Sequence, residues 1–263
     1  MSFKNKVVWI TGASSGIGKA LALEFSKLEA KIIISSRKKE SLETVKNLCD
    51  HLDNVKIVTL DLEDYKNLKP AVTSAISQFG KIDILLNNGG ISQRALAIDT
   101  DISVDKRIMD INYMGSMALS KELLPHFISN NSGHYVTITS ITGKVATPQR
   151  TSYSASKHAL HGFFDSLRSE VFKYNITVTL VLPGYVQTNL AYNALVGDGS
   201  KQNSGDSDLE KGLPTGVFAK KLIRAIEKQK NEVVIAGTKE ILSVYLKRFF
   251  PRLLAKLVRN INQ

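Results

Sequence analysis

Seven short runs of β-branched and other apolar residues recur along the chain, at residues 7–11, 31–35, 55–60, 82–86, 133–139, 176–182 and 232–236. Amphipathic stretches separate most of them. Ile17, Leu21, Phe25 and Leu28 mark one helical face, and further helical patterns run to about residue 52 and over about 64–79, 103–129 and 152–173. A strand that is apolar at nearly every position has no face for water, so it belongs in a parallel sheet covered on both sides by helices. Right-handed crossovers then make the domain doubly wound. With 263 residues, 43% of them hydrophobic, the chain can bury such a core as one unit. We read residues 1–263 as a single α/β domain built on a central parallel sheet of about seven strands.

Composition narrows the setting. Cys49 is the only cysteine and lies in a helical pattern, so it is expected to pack in the interior; an intrachain disulfide is excluded. Residues 1–6 lead straight into the first strand with no secretory pattern, and no apolar run reaches the roughly 18–20 residues of a membrane span. A soluble, cytoplasmic protein is the expectation. The formal net charge of +11 is spread along the chain rather than interleaved with stacking aromatics, so no nucleic-acid partner is expected. His126, His134, His158 and His161 lack a ligand spacing with carboxylates, and His51 falls at a helix end; no metal site is expected.

The first strand runs into Thr11-Gly12-Ala13-Ser14-Ser15-Gly16-Ile17-Gly18. Glycines permit positive φ and close backbone approach to a pyrophosphate, and a helix starting near Gly16 aims free N–H groups at that anion. This strand–turn–helix context marks a Rossmann dinucleotide site, with Gly12, Ser14, Ser15, Gly16, Ile17 and Gly18 as its cradle. An NAD site would carry a carboxylate after the second strand. Here Ser35-Ser36-Arg37-Lys38 stands instead, and a guanidinium pairs with a phosphate through two hydrogen bonds. Ser36, Arg37 and Lys38 therefore point to NADP(H) over NAD(H).

Tyr153 and Lys157 are four residues apart and share one helix face. A phenol of pKa ~10 needs a neighbouring cation to work as an acid–base catalyst near neutral pH, and Lys157 is spaced to provide it. Ser140 closes the run Val136-Thr137-Ile138-Thr139-Ser140 at a strand's carboxyl end, where open α/β sheets bind ligands.

Together with Asp61-Leu62, Asn87-Asn88-Gly89-Gly90, Asn112 and Pro183-Gly184-Tyr185-Val186-Gln187-Thr188, these pieces resemble a classical short-chain dehydrogenase/reductase over residues 6–236. The resemblance implies that Tyr153 is the general acid or base, that Lys157 lowers its pKa and holds the nicotinamide ribose, and that Ser140 steadies the substrate oxygen. It implies that Asn112 anchors a water linking Lys157 to solvent, and that Asp61 meets the adenine amino group. Leu62, Asn87, Asn88 and Gly89 would line the cofactor trough, with Pro183, Gly184, Val186 and Thr188 at the nicotinamide end. A homodimer or homotetramer is the family habit. One departure is Gly89, where the family usually carries Ala; it bears on local turn rigidity.

Residues 189–214, rich in Gly, Ser, Asp and Asn, are expected to form a flexible lid over the substrate. Substrate choice is expected there and near residues 92–97, 144–150 and Tyr185. Residues 238–260 carry Leu and Phe pairs at helical spacing among Lys247, Arg248, Arg252, Lys256 and Arg259, with Pro251 expected to bend or break the helix. Such a basic amphipathic segment suits an anionic membrane surface, a subunit interface or the substrate mouth. It resembles the hydroxysteroid-dehydrogenase-like, dehydrogenase/reductase member 7-like branch. The expected function is hydride transfer between NADP(H) and a small or lipophilic carbonyl or secondary alcohol. The alternatives are a catalytically silent dinucleotide-binding regulator and a membrane-surface interaction protein on the same fold.

Overall fold

The computed structural model describes residues 2–205 and 211–260. Residues 206–210 of the expected lid therefore lie outside the described residues. Seven strands, β1 (Val7–Thr11), β2 (Lys31–Ser35), β3 (Val55–Ile57), β4 (Ile84–Asn87), β5 (Gly133–Ile138), β6 (Ile176–Pro183) and β7 (Glu232–Ile235), form one parallel sheet in the order β3-β2-β1-β4-β5-β6-β7. The single-domain, doubly wound expectation holds.

Alternate residues of β1 show why the strands read as continuously apolar. Val8 and Ile10 face one core with α1 (Gly16–Lys27) and α2 (Lys39–Lys46), while Val7 and Trp9 face the other with α3 (Lys69–Phe79). All four strand residues are buried.

The long helical pattern over 103–129 is not one helix. It divides into α4 (Ile102–Met109), a π-helical turn at Asp110–Gly115 and α5 (Ser116–Ser129). Gly115 backs onto Leu62, where a Cβ would meet the Leu62 carbonyl oxygen at 2.5 Å. Such tight tertiary fit is invisible to periodicity. The next helix, α6 (Thr151–Val171), packs on the same sheet face as α5.

Other expected bounds shift too. The ladder of β3 stops at Ile57, although Val58 and Leu60 still donate to the carbonyls of Ile34 and Ser36. The second helix ends at Lys46 instead of near residue 52, leaving Cys49 buried in the turn that follows. A further helix, α7 (Thr215–Glu227), which the sequence reading passed over, buries Phe218, Leu222 and Ile226 against the first core. Pro251 breaks the C-terminal segment into α8 (Thr238–Phe249) and α9 (Pro251–Leu257). Proline has no N–H to give and is tolerated in a first helical turn, so α9 starts on it.

Candidate active site

Strand order reverses between β1 and β4, and the turns leaving their carboxyl ends part to open a cleft of about 300 Å³. One wall is the glycine turn, of which Gly12, Ser14, Ser15, Gly16 and Ile17 line the cleft. Gly12 and Gly16 hold φ of +63° and +54°. A Cβ on Gly12 would lie 2.7 Å from the Gly89 Cα, so the two turns touch backbone to backbone. Thr11 pins them together: its Oγ1 accepts from the N–H groups of Asn88 (3.1 Å) and Gly89 (3.0 Å). Asn88 returns the tie, donating from Nδ2 to the carbonyls of Thr11 (3.0 Å) and Gly12 (3.2 Å). Beyond the turn, α1 starts with no side-chain cap and no acidic residue in its first turn. Its N–H groups and positive dipole end are left for an anion.

Across the sheet edge, Ser36, Arg37, Asp61 and Leu62 also border the cleft. The Asp61 carboxylate accepts from the Glu63 N–H at 3.0 Å, which orients it at the end of the β3 segment. Gly89, where Ala is usual, is filled from outside: a Cβ there would come within 2.5 Å of the Leu62 Cδ1. Leucine occupies the volume of the missing methyl.

Ser140, Tyr153 and Lys157, expected at the reactive end, all lie on the cleft wall. Ser140 lies two residues beyond the end of β5, and its Oγ accepts from the Thr142 N–H at 3.1 Å. Tyr153 and Lys157 sit one turn apart on α6, both buried. Burial raises the Tyr153 pKa above the ordinary phenol value, while a hydrogen bond with Ser140 and the positive fields of Arg150 and Arg94 pull the other way. Burial lowers Lys157 to about 8. Its Nζ donates to the Ile138 carbonyl (2.9 Å) and lies 5.8 Å from the Tyr153 ring centre. The lysine thus shares the face that the spacing requires, and Arg150 and Arg94 add their positive fields around the phenol.

Four residues expected at the site do not line it. Asn112, in the π turn, is fully buried: Oδ1 accepts from the Ile91 N–H (2.8 Å), and Nδ2 donates to the Ile91 carbonyl (2.9 Å) and Ser156 Oγ (3.0 Å). Its side chain clamps the β4 turn to α6. Asn87 points into the core, donating to Ser120 Oγ at 2.9 Å. Gly18 packs against Gly12 and Asn88, a close approach that leaves no room for a side chain. Lys38 stands at the start of α2, away from the cleft wall. At the other end Pro183, Gly184, Val186 and Thr188 do line it, with Thr188 facing Gly16.

The sequence reading missed Leu60, Ile91, Ile138 and Thr139, apolar or small neighbours of the motif residues that floor the cleft. Of the 189–214 segment, Asn189, Leu190 and Asn193 reach the wall. Among the described residues no cluster of His, Cys, Asp or Glu could hold a metal.

With this geometry in view, the comparisons with known proteins are specific. The family model for short chain dehydrogenases matches residues 6–196. The chain belongs to the short-chain dehydrogenase/reductase family, whose members are oxidoreductases. Within that family it falls in the member 7 branch. It is 40% identical over 258 residues to dehydrogenase/reductase SDR family member 7B of Xenopus tropicalis, covering 94% of this chain and 82% of that one. It is 39% identical to member 7 of Homo sapiens, covering 93% and 74%. Among solved structures, a short-chain dehydrogenase from Streptomyces avermitilis aligns with TM-score 0.80 at 25% identity, covering 97% of this chain and 96% of that one. A 3-ketoacyl-(acyl-carrier-protein) reductase from Brucella melitensis, complexed with NADH, aligns with TM-score 0.79 at 25% identity, covering 91% and 100%.

Proposed function

We propose that the chain is an NADP(H)-dependent reductase or dehydrogenase acting on a small or lipophilic carbonyl or secondary alcohol. The observation that carries this reading is the buried Tyr153 phenol, on the same cleft wall as Ser140, Lys157 and a glycine cradle that no side chain can enter. When bound, the dinucleotide gives up or accepts hydride. Gly12, Ser14, Ser15, Gly16 and Ile17 hold its phosphates, Asp61, Leu62, Asn88 and Gly89 the adenosine side and trough, and Pro183, Gly184, Val186 and Thr188 the nicotinamide end. Arg37, with Ser36 beside it, favours a 2′-phosphate.

The protein supplies the proton. A phenol whose pKa burial has raised stays protonated at neutral pH, and so serves as the acid in reduction. Ser140 holds the substrate oxygen and steadies its growing charge. In oxidation the phenolate is needed, and Arg150, Arg94 and the Lys157 ammonium favour it. Asn112 acts by fixing Ile91 and α6 in place. The part of the lid at Asn189, Leu190 and Asn193 closes over the substrate.

A silent regulator on this fold has no use for the intact Tyr153–Lys157 pair. The membrane reading is compatible with catalysis: Leu242, Tyr245 and Phe249 on α8, Phe250 at the junction, and Leu253 and Leu257 on α9 are exposed among the bases. Among the described residues no helix is long and apolar enough to cross a membrane, so we propose contact with an anionic surface, checked by co-sedimentation with phosphatidylserine vesicles at low salt. A homodimer or homotetramer is proposed, with sedimentation as its check. The central test is NADPH oxidation against ketones, quinones, aldehydes and steroids beside Tyr153→Phe. The variant should lose about two to four orders of magnitude in turnover, with NADPH affinity kept; equal turnover refutes the mechanism.

A further inference from the structure

The first turn of α6, which carries Tyr153, has no cap of its own: Arg150 at its start makes no capping bond with its side chain. The cap comes from a distant residue. Gln93, fully buried in the turn after β4, accepts at Oε1 from the Ser152 N–H (2.9 Å) and, at longer range, from the Tyr153 N–H (3.4 Å). Its Nε2 donates to Thr100 Oγ1 (3.2 Å) and Thr151 Oγ1 (3.4 Å), so both ends of the amide are used. Ser152 is held a second time by a hydrogen bond from its hydroxyl to the Asp105 carboxylate of α4. Immediately upstream, Gln149 adopts φ +61°, a left-handed conformation that a non-glycine residue keeps only where its surroundings enforce it.

The backbone on either side of Gln93 is held by the segment on the substrate side. Gln93 and Leu195 form an isolated parallel bridge, in which Leu195 N–H donates to the Ser92 carbonyl and Arg94 N–H to the Leu195 carbonyl, both at 2.9 Å. Leu195 is buried against Val104 and Ile108 of α4, next to Ile91.

We infer that Gln93 is a positioning residue that fixes Tyr153 in the cleft and ties its placement to docking of the 193–203 segment. This rests on Tyr153 being the proton donor. An amide that accepts from the backbone N–H groups of residues 152 and 153 sets the height and tilt of the helix start. A displacement of about 1 Å at a reacting group costs on the order of a hundredfold in rate.

The test compares the parent with Gln93→Leu, Gln93→Glu, Leu195→Ala and Tyr153→Phe. The first readout needs no substrate: amide exchange at Ser152 and Tyr153 in the NADPH-loaded protein. Gln93→Leu and Leu195→Ala should each speed it by about tenfold or more, with the rest of α6 unchanged. The second is single-turnover reduction of phenanthrenequinone against pH. Gln93→Leu should lower the rate about 10- to 100-fold with NADPH affinity within about twofold. Gln93→Glu keeps the acceptor, so it should retain most of the rate, while its negative charge moves the alkaline fall in rate to higher pH.

Parent-like exchange and rate in Gln93→Leu, or an unshifted alkaline limb in Gln93→Glu, overturn the inference. Should Gln93→Leu not fold, the glutamate limb and the Leu195→Ala exchange decide. If Tyr153→Phe turns over like the parent, the proposed chemistry fails; in that case unaltered exchange in Gln93→Leu sinks the capping role separately.

Discussion

Two helix starts face the same cleft and are treated in opposite ways. At α1 the N-terminal N–H groups are left bare: no side chain caps them, no acidic residue lies in the first turn, and Gly12 and Gly16 keep the space in front clear. At α6 the equivalent groups are capped by Gln93, and the turn is further tied through Ser152 to Asp105. The difference matches the two roles proposed for these ends. Bare N–H groups form an anion seat, whose energy is released on binding. Capped ones give a rigid mount, on which a phenol can be held within the tolerance that proton transfer demands.

The largest expected effect comes from spoiling the bare end. Gly16→Asp would force a side chain onto φ +54° and set a carboxylate where the anion should sit. NADPH affinity, followed by fluorescence titration, should fall by about a hundredfold or more. An unchanged affinity would break the contrast at its root.

Arg37→Ala sharpens it next, by separating the phosphate at α1 from the one proposed at the adenosine ribose. NADPH should bind about 10- to 100-fold more weakly while NADH changes by less than about twofold; parallel losses for both would remove the NADP(H) assignment.

The mount carries a buried charge, and removing that charge should show in stability. Lys157 titrates at about 8 in the fold against an ordinary 10.5. Between those values the unfolded chain holds the proton and the folded chain does not, so stability rises with pH through that window, and the charged buried lysine is a liability below it. Lys157→Met should therefore stabilise the cofactor-free protein near neutral pH by about 2 kcal/mol, with the gain shrinking toward pH 10.5. Urea unfolding at several pH values measures it. A variant less stable than the parent throughout would mean that the bond to Ile138 outweighs burial of the charge.

The smallest effect is the control. Ser15 makes no capping bond, so Ser15→Ala should move stability by less than about 0.5 kcal/mol, against the roughly 1 kcal/mol of an ordinary cap loss.

The bare end was legible in the sequence and the mount was not. A glycine turn between an apolar strand and an amphipathic helix is local, since every residue of the cradle lies within eight positions of its neighbours along the chain. The same holds for Tyr153 and Lys157, whose spacing alone places them on one face. Gln93, by contrast, lies nearly sixty residues before the turn it caps, and no periodicity connects them. Asn112 shows the limit from the other side: its motif position was readable, but its buried, fully bonded carboxamide and the π turn around it arise from close packing among Leu62, Ile91 and Ser156.

By itself the sequence determined the number of strands and their succession along the chain, the glycine-rich turn, and the shared helix face of Tyr153 and Lys157. These follow from local patterning, because a strand's burial and a helix's face are written in neighbours two to four residues apart. Only the tertiary structure decided which polar side chains serve as clamps, where the sheet order reverses and how the 193–203 segment docks. Those depend on distances between residues far apart in the chain, which are set when the two cores close around the sheet.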